Sequence, residues 1–165
     1  MLTDHWSVTN NMATQNSPRT LSPDDRREIE ALAVRYANTI DERNWPRFRT
    51  VFTDDCYYEL VNFGRLSAKI EGLDALTDFM AGSIGHPLAH HVTNVEILTE
   101  HEPVHMLSKV FAPNVNGVYG SCDYHDEIVR TSDGWRIKER RVTLRRRTDP
   151  PPQSPTVTDS TSSSS

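Results

Sequence analysis

Apolar side chains recur at helical spacing near the start of the chain. Intervals of three and four residues separate the members of this stripe, which places them on one face of a helix. The stripe consists of Ile29, Leu32, Ala33, Tyr36, Ala37 and Ile40. Ser22, Pro23 and Asp25 precede it and are typical of a helix N-terminus, because Ser caps, Pro fits the first turn and acids favour the positive end of the helix dipole. We therefore predict a first helix from 23 to about 43.

Three aromatic residues follow this helix. Trp45, Phe48 and Phe52 are spaced by three and four residues, so a short second helix would present all three rings on one face. We expect these rings to belong to the core. Gly64 and Gly72 then indicate a region rich in turns, and a third helix is predicted over 73–83.

Most of the remaining chain has the composition of β-strands. Aromatic and β-branched residues dominate a first strand that begins at Cys56, and Ser132-Asp133-Gly134 is typical of a hairpin turn. Later strands are predicted over 89–99, 104–112, 118–130 and 135–146. Helices first and long strands afterwards predict an α+β fold in which N-terminal helices cover one face of a curved antiparallel sheet.

Both ends of the 165-residue chain differ in composition from its middle. Residues 1–20 are rich in Asn, Thr and Ser, and residues 148–165 consist largely of Pro, Ser and Thr. Segments of this kind bury too little apolar surface to order themselves, so we expect two disordered tails. The folded part is then a single domain over 21–147, which is long enough to form a core.

The charge of the chain limits its partners. A net charge of −5 and a pI near 5.8, without a basic cluster outside the last predicted strand, argue against a nucleic-acid surface. No apolar run approaches the roughly 20 residues of a membrane span, and the N-terminus lacks the pattern of a secretory signal. Cys56 and Cys122 alone do not form a disulfide framework. We expect a cytoplasmic protein that binds neither nucleic acid nor membrane.

The histidines do not suggest a metal site. No three of them, with or without a carboxylate, have a spacing that would place three ligands on a common face of one element. The groups considered are His86, His90 and His91 with Asp41, and His101 with His105. We therefore expect no bound metal.

Asp41 is the polar residue that interrupts the apolar stripe of the first helix, on its buried side. Desolvation of an unpaired carboxylate is costly, so the fold should supply a cation, a histidine or a water-filled pocket beside it. The alternative is a carboxylate at the helix end that turns outward to solvent and pairs with Arg43 or Arg47.

Three segments carry a resemblance that covers nearly all of the folded part. They are ALAVRYANTIDERNWPRFRTVFTDDCYYEL over 31–60, HHVTNVEI over 90–97 and DGWRIKERR over 133–141. In their order and spacing they resemble the SnoaL-like branch of the nuclear transport factor 2-like superfamily. This resemblance implies a cone of helices on a strongly bent sheet, also called a cystatin-like α+β barrel, with a pocket inside.

Within that branch the chain resembles bile-acid 7α-dehydratases and hexachlorocyclohexane dehydrochlorinases, which remove a proton and expel a leaving group. The resemblance implies that His90 is the general base and that Asp41 orients its imidazole and stabilises its protonated form. It also implies that Arg140 supports the leaving group or an enolate oxygen. Tyr36 would donate a hydrogen bond or return the proton.

The residues alone leave two of these assignments open. Successive strand residues point to opposite faces, so either His90 or His91 faces the interior. Arg140 and Arg141 pose the same choice, because the apolar positions of the last strand change face and indicate either a bulge near 139–141 or cover on both faces. Tyr36 fits a core aromatic position equally well.

The combined interpretation is a small cofactor-independent enzyme that performs proton transfer on an apolar, cyclic small molecule, with a dehydratase-type elimination first. Isomerase or polyketide cyclase chemistry would use the same base. A non-catalytic ligand carrier, or an assembly module like the small subunit of ring-hydroxylating dioxygenases, is the alternative of another class. The resemblance implies a homo-oligomer, either dimer or trimer. The predicted pocket wall consists of Tyr57, Leu60, Phe63, Phe79, Met80, Leu107, Phe111 and Tyr119.

Overall fold

The computed structural model describes residues 20–62, 64–83, 85–99, 103–115 and 117–145. The predicted tail over 148–165 and all of the predicted tail over 1–20 except Thr20 lie outside the described residues. Within the described ranges, no helix is both long and apolar enough to cross a membrane.

Three helices have the positions that local sequence signals predict. Helix α1 spans Pro23–Asp41, α2 spans Trp45–Phe48 and α3 spans Leu73–Gly82. Ser22 caps α1 in a capping box, in which its hydroxyl accepts a hydrogen bond from the Asp25 backbone N–H at 3.0 Å. The predicted second helix is shorter than expected, because Phe52 already belongs to the first strand.

The aromatic rings near α2 pack together as predicted. The ring centroids of Trp45 and Phe48 are 5.9 Å apart, and those of Phe48 and Phe52 are 5.4 Å apart. Phe48 and Phe52 are almost fully buried. Tyr36 of α1 also contacts both of these rings, so the stripe of α1 and the aromatic cluster form one core.

Six strands form one curved, open sheet in the order β2-β1-β6-β5-β4-β3. They are β1 (Phe52–Asn62), β2 (Arg65–Glu71), β3 (His91–Leu98), β4 (Val104–Pro113), β5 (Tyr119–Thr131) and β6 (Gly134–Leu144). The predicted α+β fold is confirmed, and all neighbouring strands except one pair are antiparallel. The parallel pair is β1 with β6, which makes the sheet mixed.

Strand β2 corrects the interpretation of 64–72 as a region rich in turns, because Arg65–Glu71 form a strand. It pairs with β1 through a turn in which Gly64 has a φ of +75°, a conformation that favours glycine. Most of β2 is exposed at the edge of the sheet, and Leu66 is exposed on it. Because few of its side chains are buried, β2 lacks the clear alternation of apolar and polar residues that would predict a strand.

A bulge in β6 determines which side chains face the helices. Ile137 pairs with Ile128 and Glu139 pairs with Glu127, so Lys138 is the extra residue between them. Before the bulge, Trp135 and Ile137 face the core. After it, Arg140 and Val142 do so. Of the two alternatives that the sequence left open for this strand, a bulge near 139–141 or cover on both faces, the structure has a bulge, at the adjacent residue Lys138.

Candidate active site

Asp41 and His90 meet where the end of α1 reaches the start of β3. Nδ1 of His90 lies 2.6 Å from Oδ1 of Asp41, and the backbone N–H of His90 donates to Oδ2 at 2.9 Å. Both carboxylate oxygens of Asp41 therefore hold the same residue. Because a carboxylate only accepts hydrogen bonds, Nδ1 carries the proton of the neutral ring, and Nε2 keeps its lone pair.

His90 lines a cavity of about 340 Å³ between the helices and the sheet. Its side chain is only 7% exposed, whereas the side chain of Asp41 is 23% exposed. A volume near 340 Å³ lies at the lower end of the range of small-molecule sites, roughly 300–1,000 Å³. Much of the wall is apolar or aromatic, including Tyr36, Tyr58, Leu60, Phe79, Met80, Val110, Tyr124, Val142 and Leu144.

The structure separates the two adjacent histidines. His91 is exposed, and its ring centroid lies 6.4 Å from that of Phe111, which is exposed as well. His90 instead packs edge-on against Tyr36, with ring centroids 6.1 Å apart. Of the two alternatives, His90 is the one at the cavity.

Arg140 is buried behind the cavity wall. Its Nε and Nη2 donate to the two oxygens of Asp126, each at 2.7 Å, and neither side chain has any exposed surface. Its guanidinium carbon lies 4.1 Å from the ring centroid of Tyr36 and 4.2 Å from that of Tyr124. Arg140 does not line the cavity that contains His90. Arg141 points to the other face, with Nε 3.8 Å from Oε2 of Glu59.

Burial sets the protonation states of this cluster. It raises the pKa of Tyr36, against the opposing charge of Arg140, so the hydroxyl keeps its proton. Burial raises the pKa of Tyr124 well above its ordinary value, with a further contribution from Tyr36. For Arg140 burial alone would lower the pKa, but the charge and hydrogen bonds of Asp126 raise it.

A SnoaL-like domain model matches residues 22–141, well over half of the chain. The chain belongs to the SnoaL-like domain family. An uncharacterized protein of Mycobacterium tuberculosis, Rv2910c, is 28% identical over 123 residues, which cover 70% of this chain and 82% of the relative.

Solved structures share the fold of this SnoaL-like domain. A hexachlorocyclohexane dehydrochlorinase, LinA-type3 from Novosphingobium barchaimii, has a TM-score of 0.59 at 18% identity and covers 73% of this chain and 86% of its own. A candidate scytalone dehydratase from Novosphingobium aromaticivorans has a TM-score of 0.60 at 21% identity, with coverage of 74% and 85%. A protein of unknown function from Nostoc punctiforme with a cystatin-like fold has a TM-score of 0.64 at 19% identity, with coverage of 77% and 96%.

The predicted pocket wall of the SnoaL-like domain is partly wrong. Leu60, Phe79 and Met80 line the cavity, and Phe63 lies outside the described residues. Tyr57 and Leu107 instead line a groove of about 330 Å³ on the opposite face of the sheet.

Phe111 and Tyr119 complete the correction. Both are exposed, and their rings stack with centroids 5.2 Å apart. The reason lies in strand alternation. On β4, Met106 and Val110 face the core, so the odd-numbered positions 107 and 111 must face the other way.

Sequence reasoning missed four residues of the site. Asp126, Tyr124 and Tyr58 face the interior from β5 and β1, and His86 lines the cavity from the segment that precedes β3. The alternation of Cys122, Tyr124, Asp126 and Ile128 on the inward face of β5 contains the signal for Asp126. In the parts of the chain that the structure describes, no group of three or more His, Cys, Asp and Glu converges as metal ligands would.

Proposed function

We propose that this protein is a small cofactor-independent enzyme in which His90 removes a carbon-bound proton from an apolar small molecule, with elimination as the leading reaction. One observation carries the proposal. His90 is held by both oxygens of Asp41 and lines a cavity of about 340 Å³. A histidine oriented by a carboxylate at the wall of a cavity is the arrangement that general base catalysis requires.

The proton moves in two steps in this mechanism. Nε2 of His90 accepts a proton from a carbon atom of the substrate, and the C–H electron pair forms a double bond as the leaving group departs with its own pair. Asp41 stabilises the imidazolium through Nδ1. Where the leaving group is hydroxide, the imidazolium returns the proton to it, so water leaves and no further reactant is needed.

Tyr36 and Arg140 support this chemistry in different ways. Tyr36 lines the cavity, and its protonated hydroxyl is a hydrogen-bond donor suited to a developing negative charge. Arg140 lies behind the Tyr36 ring at 4.1 Å and places a fixed positive charge on that side. Arg140 is therefore a positioning residue for Tyr36, in place of the direct contact with a leaving group that the resemblance implies.

The composition of the cavity wall supports an apolar substrate class. Leu60, Phe79 and Met80 provide an apolar surface, and no lysine or arginine lines the cavity within the described ranges. Such a site suits an uncharged, cyclic molecule with few polar groups. The names of two structural neighbours, a dehydrochlorinase and a candidate dehydratase, favour elimination over other proton transfers. The homo-oligomer stays a prediction.

Exchange with solvent deuterium tests the proposal across several classes of compound. The protein is incubated in D₂O with cyclic ketones, cyclic β-hydroxyketones and chlorinated cyclohexanes, and mass spectrometry follows gain of deuterium, loss of water and loss of HCl. We expect exchange or elimination with at least one class. His90→Gln should lower its rate by about 100-fold or more.

His91→Gln is the matched control, because it changes the same residue type on the opposite face. Its rate should equal that of the wild type. A rate in His90→Gln within a few-fold of the wild type would contradict the base assignment. Binding of the same compounds without any exchange or product would identify a ligand carrier instead. Rearranged product without loss of mass would identify an isomerase or cyclase.

A further inference from the structure

His86 is a second histidine in the cavity, and the proposed proton transfer does not use it. It lies between α3 and β3 and lines the same cavity as His90. The two ring centroids are 6.0 Å apart, at an interplanar angle of 61°. The two imidazoles therefore face the same space from neighbouring positions.

Neither ring nitrogen of His86 has a hydrogen-bond partner, although both are buried. The Met80 backbone is near enough to the His86 ring to raise its pKa, but the two groups do not meet the distance and angle of a hydrogen bond. A buried imidazole with an unpaired donor and an unpaired acceptor costs free energy, and native proteins keep such groups rarely. Ser108 and Arg140 also contain an unpaired buried polar atom, but neither residue lines this cavity.

The surroundings of His86 keep its ring neutral. Desolvation lowers the pKa of His86, and positive charge on His90, when its ring is protonated, and on Arg43 lowers it further. The Met80 backbone and the charge of Asp41 act in the opposite direction and are smaller causes. A neutral imidazole offers one donor and one acceptor, which match a hydroxyl or a carbonyl oxygen better than a carboxylate.

We propose that His86 is the polar anchor of the cavity and binds a hydroxyl or carbonyl oxygen on an otherwise apolar cyclic ligand. The observation behind it is an imidazole with two unpaired, buried nitrogens at the wall of an apolar cavity. Anchoring of one ligand atom at His86 also fixes which C–H bond of the ligand approaches His90. This orienting role rests on the proposed function, whereas the binding role does not.

Two probes of similar shape separate hydrogen bonding from burial. Cyclohexanone carries an acceptor oxygen, and methylcyclohexane fills similar space without one. NMR titration gives the Kd of each probe for the wild type, His86→Phe and His86→Gln. We expect His86→Phe to weaken cyclohexanone by about 5- to 15-fold, the size of one hydrogen bond, and to change methylcyclohexane by less than about twofold. His86→Gln, which keeps an amide donor, should recover part of the loss.

His91→Phe is the matched control, since it makes the same change outside the cavity, and it should leave both affinities unchanged. An equal change of both probes in His86→Phe would overturn the proposal, and so would unchanged cyclohexanone binding or failure of the wild type to bind either probe. The deuterium experiment is a separate readout. If His86→Phe lost affinity for cyclohexanone but the wild type exchanged no deuterium, the binding role of His86 would stand and the role of His90 as a base would be rejected.

Discussion

Two of the carboxylate–base pairs in this domain, Asp126–Arg140 and Asp41–His90, differ in what they leave free. Asp126 and Arg140 are joined by two hydrogen bonds of 2.7 Å and have no exposed surface. Asp41 and His90 are joined at one ring nitrogen and one backbone N–H, beside a cavity. The first pair satisfies both oxygens of its carboxylate within the core. In the second, Asp41 contacts Nδ1 and the backbone N–H of His90, so neither contact uses Nε2.

We infer from the comparison that burial distinguishes a supporting pair from the pair proposed to react. A fully buried guanidinium with a bidentate partner keeps its charge and its position, and it supports the rings of Tyr36 and Tyr124. A histidine at a cavity wall is oriented by its carboxylate but retains a site for a proton. We therefore expect substitutions in the first pair to change mainly stability and substitutions in the second to change mainly activity.

Removal of Asp126 should have the largest effect on stability. Asp126→Ala leaves the Arg140 guanidinium buried without its counter-charge, so we expect a loss of about 3–5 kcal/mol in the free energy of unfolding. Urea denaturation followed by circular dichroism measures this loss. The control is the double variant Asp126→Leu with Arg140→Met, which removes both charges and should recover much of the stability. A loss below about 1 kcal/mol in Asp126→Ala would contradict the assigned role of the pair.

Asp41→Asn should lower activity strongly and stability only slightly, the opposite of Asp126→Ala. The amide no longer stabilises the imidazolium and disturbs the tautomer of His90, so we expect activity to fall by about 100- to 10,000-fold. The free energy of unfolding should change by about 1 kcal/mol or less, because the carboxylate is partly exposed. The rate of deuterium exchange into a responsive compound measures the first effect, and urea denaturation the second.

Asp24→Asn is the matched control for Asp41→Asn. Asp24 lies at the opposite end of α1, where its exposed carboxylate accepts a hydrogen bond from Arg27 at 2.9 Å. This variant should exchange deuterium at the wild-type rate. If Asp41→Asn retained a rate within a few-fold of the wild type, the carboxylate would have no part in the proton transfer.

Tyr36 contacts both Arg140 and His90, and Tyr36→Phe should have a smaller effect on the exchange rate than Asp41→Asn. The substitution keeps a ring over Arg140 and removes the hydroxyl of a residue that lines the cavity. We expect the exchange rate to fall by about tenfold, the size of one lost hydrogen bond. Tyr57→Phe is the control, because Tyr57 lies on the other face and donates to Glu59 at 2.6 Å. Equal rates for both variants would show that the Tyr36 ring has only a packing role.

Local signals explain why so much of the fold was predictable. The capping box at Ser22, the apolar stripe of α1 and the turn before Gly134 each depend on residues close in sequence. Asp41 was predictable for the same reason, because a carboxylate within an apolar stripe is visible in the sequence. The placement of His90 opposite it came from the resemblance to the SnoaL-like family.

Strand register explains why the rest was not predictable. The extra residue Lys138 in β6 and the irregularity between Thr93 and Glu96 in β3 shift which side chains face the core. On β4, which pairs with β5 without a bulge, both faces carry apolar residues, so the sequence alone did not reveal the inward face, and the pocket prediction placed Leu107 and Phe111 on the wrong side. The unpaired nitrogens of His86 arise only after distant segments enclose the cavity.

A third carboxylate sharpens the comparison, because Asp25 lies at the opposite end of α1 from Asp41. Its side chain accepts hydrogen bonds from Nε1 of Trp135 at 2.9 Å and from the Ser22 hydroxyl at 2.8 Å, and it pairs with Arg130. These contacts, that with Trp135 foremost, lower the pKa of Asp25 from 3.8 to about 2. Through these contacts Asp25 connects the start of α1 to the β5–β6 hairpin, far from His90 at the other end of the helix.

Asp25→Asn should therefore change the stability of the fold and its pH dependence but not the exchange rate, with the smallest overall effect of the four substitutions. Because the pKa is lower in the folded state, the stability that Asp25 contributes is complete above about pH 4 and is lost as the pH falls towards 2. Thermal unfolding of the variant should show a lower midpoint at neutral pH and a flatter dependence across that window. Asp24→Asn, at the adjacent exposed position, should retain the wild-type slope. If the midpoint of Asp25→Asn changed with pH in parallel with that of the wild type, the Trp135 contact would not depend on the charge of Asp25. If the pH dependence were flatter and deuterium exchange normal, Asp25 would be a structural carboxylate, unlike Asp41.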